Sequence, residues 1–252
     1  MVKIMAHRGA RNLWAENSAL GFRETARRGF EAVEFDLHLS DAGELLVIHD
    51  ATLERTTDGA GPVRALRPDE RKALRLRDED GALIDEGVPS FDEVLDILEP
   101  HPVALYVELK ADIEGQPYPG MVGLVAETLR RRGLESRSVL HSFDISVVHE
   151  IRDVAPDFGR LISVNLEWAE RQGGIAALLR EVEGLVDVVG IHHELYEAEF
   201  EQIRRLRPVE ATSVWTVNEP ELIRRWIARG PGFVVSDNPV LVRELMAESC
   251  PA

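Results

Sequence analysis

The sequence predicts an α/β fold, a (β/α)8 TIM barrel with a small insertion after the second strand unit. Three observations carry this. From residue 90 onward, short apolar runs alternate with amphipathic helical stretches, and strict alternation implies parallel strand pairing. Strands beginning near Lys3, Val33, Ala104, Ser138, Gly159, Val186, Glu210 and Gly232 make eight, and eight units in 252 residues is the size of a closed barrel. An open doubly wound sheet would carry a glycine-rich phosphate turn, which is missing. Residues 1–252 are thus expected to form a single barrel domain, with its insertion at about 51–89.

Each element has a local reason. Residues 3–6 form a short strand that ends in His7-Arg8-Gly9. Glu16-Asn17-Ser18 caps a helix reaching about Arg28, with Gly29 as its stop. The strand at 32–40 alternates apolar and ionisable residues, so Glu34, Asp36 and His38 share one face while Phe35, Leu37 and Leu39 share the other. A turn at 41–43 leads to a strand at 45–48, which ends in His49-Asp50. Residues 51–89 are polar, rich in Gly and Asp, and too long for an ordinary connection. Helices are then expected at 90–98, about 120–132, 145–154, 174–182, 198–206 and 220–228, with a last one from Pro239. The strands between them fall at 104–110, 138–143, 159–164, 186–192, 210–217 and 232–236.

Composition narrows the function. A formal charge of −16 argues against nucleic acid or an anionic membrane surface as the main partner. No segment approaches the roughly 20 apolar residues of a membrane span. The N-terminus has no extended apolar region, and the lone cysteine, Cys250, offers neither a disulfide framework nor a cysteine metal site. A cytoplasmic location without stable membrane association is expected.

Barrel enzymes place their chemistry at the C-terminal ends of the strands. Here those ends carry His7-Arg8, Glu34 with Asp36, His49-Asp50, Glu108 with Lys110, His141-Ser142, His192-His193 and Asp237. Parity in 104–110 puts Glu108 and Lys110 on one face, so three carboxylates from two strands converge. Such a cluster is costly without a cation, and hard oxygen ligands favour Mg2+ or Ca2+. His7 and His49 are candidates to move protons, and Arg8 and Lys110 to meet an anionic substrate such as a phosphate. Trp215 suits the mouth wall and a packed core equally. His141, His192 and His193 have no assignable partner and read as structural or peripheral. Glu16 and Asn17 could reach the mouth, although helix capping accounts for Asn17.

The motifs His7-Arg8-Gly9, Glu16-Asn17-Ser18, Glu34-Phe35-Asp36, His49-Asp50 with Leu53 and Arg55-Thr56-Thr57, Glu108-Leu109-Lys110, Ser142-Phe143, Trp215-Thr216-Val217-Asn218 and Ser236-Asp237-Asn238-Pro239 together resemble the glycerophosphodiester phosphodiesterase family. The match runs in order along essentially the whole chain. It implies a barrel with an insertion at 51–89 and metal-dependent hydrolysis of small glycerophosphodiesters, such as glycerophosphocholine or glycerophosphoethanolamine, to glycerol 3-phosphate and an alcohol. By motif, Glu34, Asp36 and Glu108 would hold one divalent cation, Mg2+ or Ca2+. His7 and His49 would be the acid–base pair. Arg8 and Lys110 would contact the phosphate, and Trp215 the glycerol or alcohol. Ala15 replaces the family's usual proline, and Ser18 and Ser236 stand where threonine is common; none of these supplies chemistry. A rival class, of lysophospholipase D or sphingomyelinase D type, cleaves intact phospholipids and needs an apolar approach that this chain lacks. A silent phosphodiester-binding barrel would have lost a histidine or carboxylate, and none is lost.

Overall fold

A computed structural model describes residues 2–248; Cys250 lies outside the described residues. The chain opens with β1 (Lys3–His7), α1 (Ala19–Arg28), β2 (Ala32–Leu39) and β3 (Leu45–Val47). The insertion carries a 3-10 turn at Val63–Ala65 and one short α-helix, α2 (Pro68–Ala73). Regular alternation follows: α3 (Phe91–Leu98), β4 (Ala104–Leu109), α4 (Met121–Arg131), β5 (Ser138–Ser142), α5 (Ile145–Val154) and β6 (Gly159–Val164). Two helices come next, α6 (Leu166–Arg171) and α7 (Ile175–Glu181), and then β7 (Val188–His192), α8 (His193–Leu206) and β8 (Thr212–Trp215). The described chain finishes with α9 (Pro220–Arg229), β9 (Phe233–Ser236) and α10 (Pro239–Glu248).

Among the described residues, nine strands form one sheet, and β1 pairs in parallel with both β2 and β9. That closes eight parallel strands into a barrel with helices between them. β3 stands outside the ring as an antiparallel partner of β2. Three details depart from the sequence reading. Residues 209–211 curl into a 3-10 turn before β8, so the expected strand at 210–217 is shorter. The helix expected at 198–206 starts at His193, across a kink at Glu199. Helix α6 is an element the periodicity did not reveal, because six residues are too few to display a 3.6-residue repeat; Asn165 caps it.

Alternation along the strands sorts side chains into two layers. Val33, Phe35, Leu37, Leu105, Val107 and Leu109 point outward and pack under the helices in the main core. Phe35 meets Phe22 of α1 edge-on at 5.6 Å and Phe91 of α3 at 6.0 Å. Inside the ring a smaller apolar set, including Met5, Ala32, Tyr106, Leu161, Phe233 and Val235, fills the barrel floor. Above that floor the inward positions turn polar. The two strands read as half apolar and half ionisable are therefore buried on both faces, which a barrel wall requires and a surface strand does not.

The insertion has a small core of its own, in which Leu53, Val63, Leu66, Leu76 and Val88 pack with Leu46 and Ile48. Arg71 anchors it: buried, it donates to Glu44, Glu93 and the Val88 carbonyl. Arg64 bridges Asp41 and Asp112, which ties the insertion to the loop after β4.

Phe35→Ala empties a site between barrel and helices. Chemical denaturation should show a loss of about 3–5 kcal/mol, and an unchanged unfolding midpoint would contradict this packing.

Candidate active site

The mouth begins where β1 ends. Arg8, Gly9 and Ala10 take φ values of 49°, 72° and 71°, so the chain folds back at once in the left-handed region. The turn fits because α1 carries Gly21 beneath it: a Cβ there would lie 2.7 Å from the Gly9 carbonyl oxygen. Folding back aims the Arg8 amide at Glu34 Oε2, 3.3 Å away. Parallel register sets His7 beside Glu34, Asp36 beside Glu108, and Glu108 beside His141.

Glu34, Asp36 and Glu108 are all buried. Asp36 is held by Asn17 Nδ2 at 2.9 Å, Arg8 Nε at 3.4 Å and Lys110 Nζ at 3.6 Å. Burial opposes its ionisation, but Arg8 and Lys110 outweigh burial and hold the carboxyl well below the usual carboxylate range. Lys110 also donates to Glu108 at 2.8 Å, which holds Glu108 below its ordinary value against the effect of burial. Glu34 has no such partner. Burial, together with the charges of Asp36 and Glu108, pushes it well above the usual range. In this cluster three buried carboxylates stand against two cations, Arg8 and Lys110.

Two imidazoles flank this cluster, each braced by a carboxylate. His7 Nδ1 lies 2.6 Å from Asp237 Oδ1, and His49 Nδ1 lies 2.6 Å from Asp50 Oδ1. Burial opposes ionisation of Asp237, but the His7 hydrogen bond outweighs it and keeps the carboxyl below its ordinary value. The His49 hydrogen bond holds Asp50 well below its own. With both carboxylates ionised, each Nδ1 carries a proton and donates, which leaves each Nε2 as the nitrogen able to take up or give a proton. Burial holds the His7 pKa below its ordinary value, which favours the neutral ring. His7 and His49 line one cavity with Glu34, Glu108 and Trp215.

A further layer holds these groups. Asn218 donates to Asp237 at 2.7 Å and accepts from the Asp237 amide and from Ser236 Oγ. His38 belongs to the frame: its Nε2 donates to the His49 carbonyl at 3.0 Å, and its Nδ1 accepts from Tyr118. Ser18, not Asn17, caps α1 by accepting from the Gly21 amide, which frees Asn17 to reach Asp36. Arg55 of the insertion donates to both oxygens of Asp50 and both of Glu16, and Glu16 also lies 3.3 Å from Arg8.

The sequence-predicted residues thus converge, Trp215 among them. It stands edge-on to Phe143 at 5.5 Å and to His192 at 4.9 Å, part of an apolar wall. His141, read from sequence as structural or peripheral, sits instead in the acidic cluster, buried, with Nε2 3.9 Å from Glu34 Oε1. The signal was present: His141 occupies the third-from-last residue of the expected strand 138–143, the same place that Glu108 occupies in 104–110. Among the described residues, donor atoms of Glu34, Glu108 and His141 lie within 4.8 Å of one another. Asp36 Oδ1 and His141 Nε2 are buried at this cluster without a hydrogen-bond partner among the described residues. Excess buried negative charge and two orphaned electron-pair donors are what a divalent cation would satisfy.

Strand-end carboxylates, paired cations and two braced imidazoles define a class, a barrel hydrolase built for an anionic ester. Residues 7–241 match the glycerophosphoryl diester phosphodiesterase family, and the chain belongs to that family. It is accordingly a phosphoric diester hydrolase. A glycerophosphodiester phosphodiesterase from Caldanaerobacter subterraneus subsp. tengcongensis is 28% identical over 242 residues, 94% of each chain. A crystal structure from Agrobacterium tumefaciens superposes with a TM-score of 0.88 at 25% identity, covering 99% of this chain and 98% of that one. An Oleispira antarctica phosphodiesterase, solved in complex with its product sn-glycerol-3-phosphate, shares the fold at a TM-score of 0.76 and 22% identity, covering 97% and 96%.

The Arg55 bridge has a pH signature. Burial opposes ionisation of Glu16, but the Arg55 hydrogen bonds and Arg8 outweigh it and hold the carboxyl below its ordinary value. Its stabilising contribution is therefore complete above the unfolded value of about 4.3 and fades as pH falls through the lower folded value. Arg55→Ala should cost about 1–2 kcal/mol at pH 7. The gap between wild type and variant should narrow as pH falls below about 4; urea titrations across pH test this, and a constant gap would contradict it.

Proposed function

We propose that the chain hydrolyses small glycerophosphodiesters, such as glycerophosphocholine or glycerophosphoethanolamine, to glycerol 3-phosphate and an alcohol. His7 and His49 act as the acid–base pair, and Glu34, Asp36 and Glu108 hold one divalent cation, Mg2+ or Ca2+. The observation that carries this reading is the pair of Nδ1-braced imidazoles lining one cavity with an under-neutralised acidic cluster.

Each group has a task set by its surroundings. His7, kept neutral by burial, takes a proton at Nε2 from the nucleophile, either water or the neighbouring glycerol hydroxyl through a cyclic phosphate. Asp237 holds that ring in register and stabilises the imidazolium that forms. His49, nearer solvent at 28% side-chain exposure, gives a proton to the departing alcohol oxygen. Arg8 and Lys110 turn their charge toward the phosphate, and Trp215 supplies an apolar face for glycerol or alcohol carbons. When bound, the cation would act as a Lewis acid on a phosphoryl oxygen and offset charge developing in the transition state. No helix of the described residues is long and apolar enough to cross a membrane.

His7→Ala and His49→Ala should each lower the turnover of glycerophosphocholine by about a hundredfold or more, with unchanged circular dichroism. Full activity of folded His7→Ala would remove the assignment. EDTA-treated enzyme should release no glycerol 3-phosphate and recover when a divalent cation is restored. Inactivity with every cation, from folded protein, would direct attention to lysophospholipids.

A further inference from the structure

One residue at the mouth has a buried, unmet donor atom and no part in the proposed chemistry. The His141 side chain is 5% exposed, and its register partner across the β4–β5 pair is Glu108. Neighbours in register on parallel strands project to the same side, so the imidazole enters the cluster beside a carboxylate. Its Nδ1 lies 3.3 Å from Ser163 Oγ, which fixes the ring from behind. Its Nε2 points the other way, 3.9 Å from Glu34 Oε1, beyond hydrogen-bond distance and without any hydrogen-bond partner among the described residues.

Neither tautomer satisfies that nitrogen. A protonated Nε2 would be a buried donor making no bond, which carries the full desolvation cost. A bare Nε2 faces two carboxylates with a lone pair, which is repulsive unless a positive charge stands between them. A cation removes both problems, and the donor atoms of Glu34, Glu108 and His141 already lie within 4.8 Å of one another. Donors sharing one ion at about 2.0–2.5 Å are separated by no more than about 4–5 Å. Ser163 then accepts from Nδ1–H, the backing that ligating histidines ordinarily have.

We propose that His141 is a nitrogen ligand of the divalent-cation site, and that this imidazole makes the site hold Mn2+ or Co2+ more tightly than Ca2+. The inference rests on the cation reading above and adds to it. Carboxylates alone suit Ca2+ and Mg2+, whereas an imidazole nitrogen favours later first-row ions, whose affinities rise along the series from Mn2+. Asp36, held by Asn17, Arg8 and Lys110, adds Oδ1, which makes no hydrogen bond among the described residues.

The test is pulsed EPR on the full chain loaded with Mn2+, beside calorimetric titration of Mn2+ and Ca2+. Wild type should show modulation from a directly bound 14N, replaced by a 15N pattern when histidine is isotopically labelled. The modulation should survive His7→Ala and His49→Ala and vanish in His141→Ala and His141→Gln. In those variants the Mn2+ dissociation constant should rise about tenfold or more, with a smaller change for Ca2+. The labelling arm uses unsubstituted protein, so it decides even where a variant does not fold. Bound Mn2+ that needs Glu34 and shows no nitrogen coupling would overturn the role of His141 and leave the carboxylate site standing. Loss of the coupling in His7→Ala or His49→Ala instead would overturn that role equally. Failure to bind any divalent cation would overturn the cation reading and this inference together.

Discussion

The site depends on one constraint: three carboxylates buried at the barrel mouth must be held close without unfolding it. Isolated, each would neutralise itself by taking up a proton, because burying an unpaired charge costs more than a pKa shift. Arg8 and Lys110 prevent that for Asp36 and Glu108, while Glu34 stays under-compensated. This imbalance is chemically useful. The proposed cation would offset this excess negative charge and favour an anionic ester.

The barrel makes the imbalance tolerable through its two-layer alternation. Every second residue of β2 and β4 is locked into the apolar shell under the helices, so the strands cannot slip to relieve repulsion between their inward carboxylates. A one-residue shift would bury Glu34 and Asp36 among Phe22, Phe91 and their neighbours. The packing of Phe35 is thus the reason Glu34 and Asp36 stay where they are, and the strain of like charges is carried by the whole shell. The floor residues Met5, Tyr106 and Leu161 close the lower ring and leave only the upper end open to chemistry.

The loops add orientation. Asp237 and Asp50 brace the two imidazoles from opposite parts of the chain, and each brace is itself held, by Asn218 in one case and Arg55 in the other. The second brace ties the insertion to the candidate site. Its small core gives Arg55 a rigid base, and Arg55 reaches back to Asp50 and Glu16 together. His38 adds a hold on the backbone of His49. Segments distant in sequence therefore converge on two hydrogen bonds, each of which ties up Nδ1 and leaves Nε2 as the nitrogen able to move a proton.

By itself the sequence determined the parallel barrel, the insertion and the convergence of His7, Arg8, Glu34, Asp36, His49, Glu108 and Lys110. These follow from alternation with period two and from the rule that barrel chemistry sits at strand ends, both local properties of the chain. The boundaries of the strand at 210–217 and the existence of α6 were not legible, because a 3-10 turn and a six-residue helix leave no periodic trace. Only the tertiary structure decided what His141, Asn17, His38 and Trp215 meet. A histidine next to a serine on a strand reads the same whether its ring meets solvent, core or carboxylates. The answer depended on which strand lay alongside, and parallel register put Glu108 there. The ring geometry of Trp215 against Phe143 and His192 depended likewise on neighbours far away in sequence. Local pattern says which face a side chain occupies; closure of the barrel says what it meets.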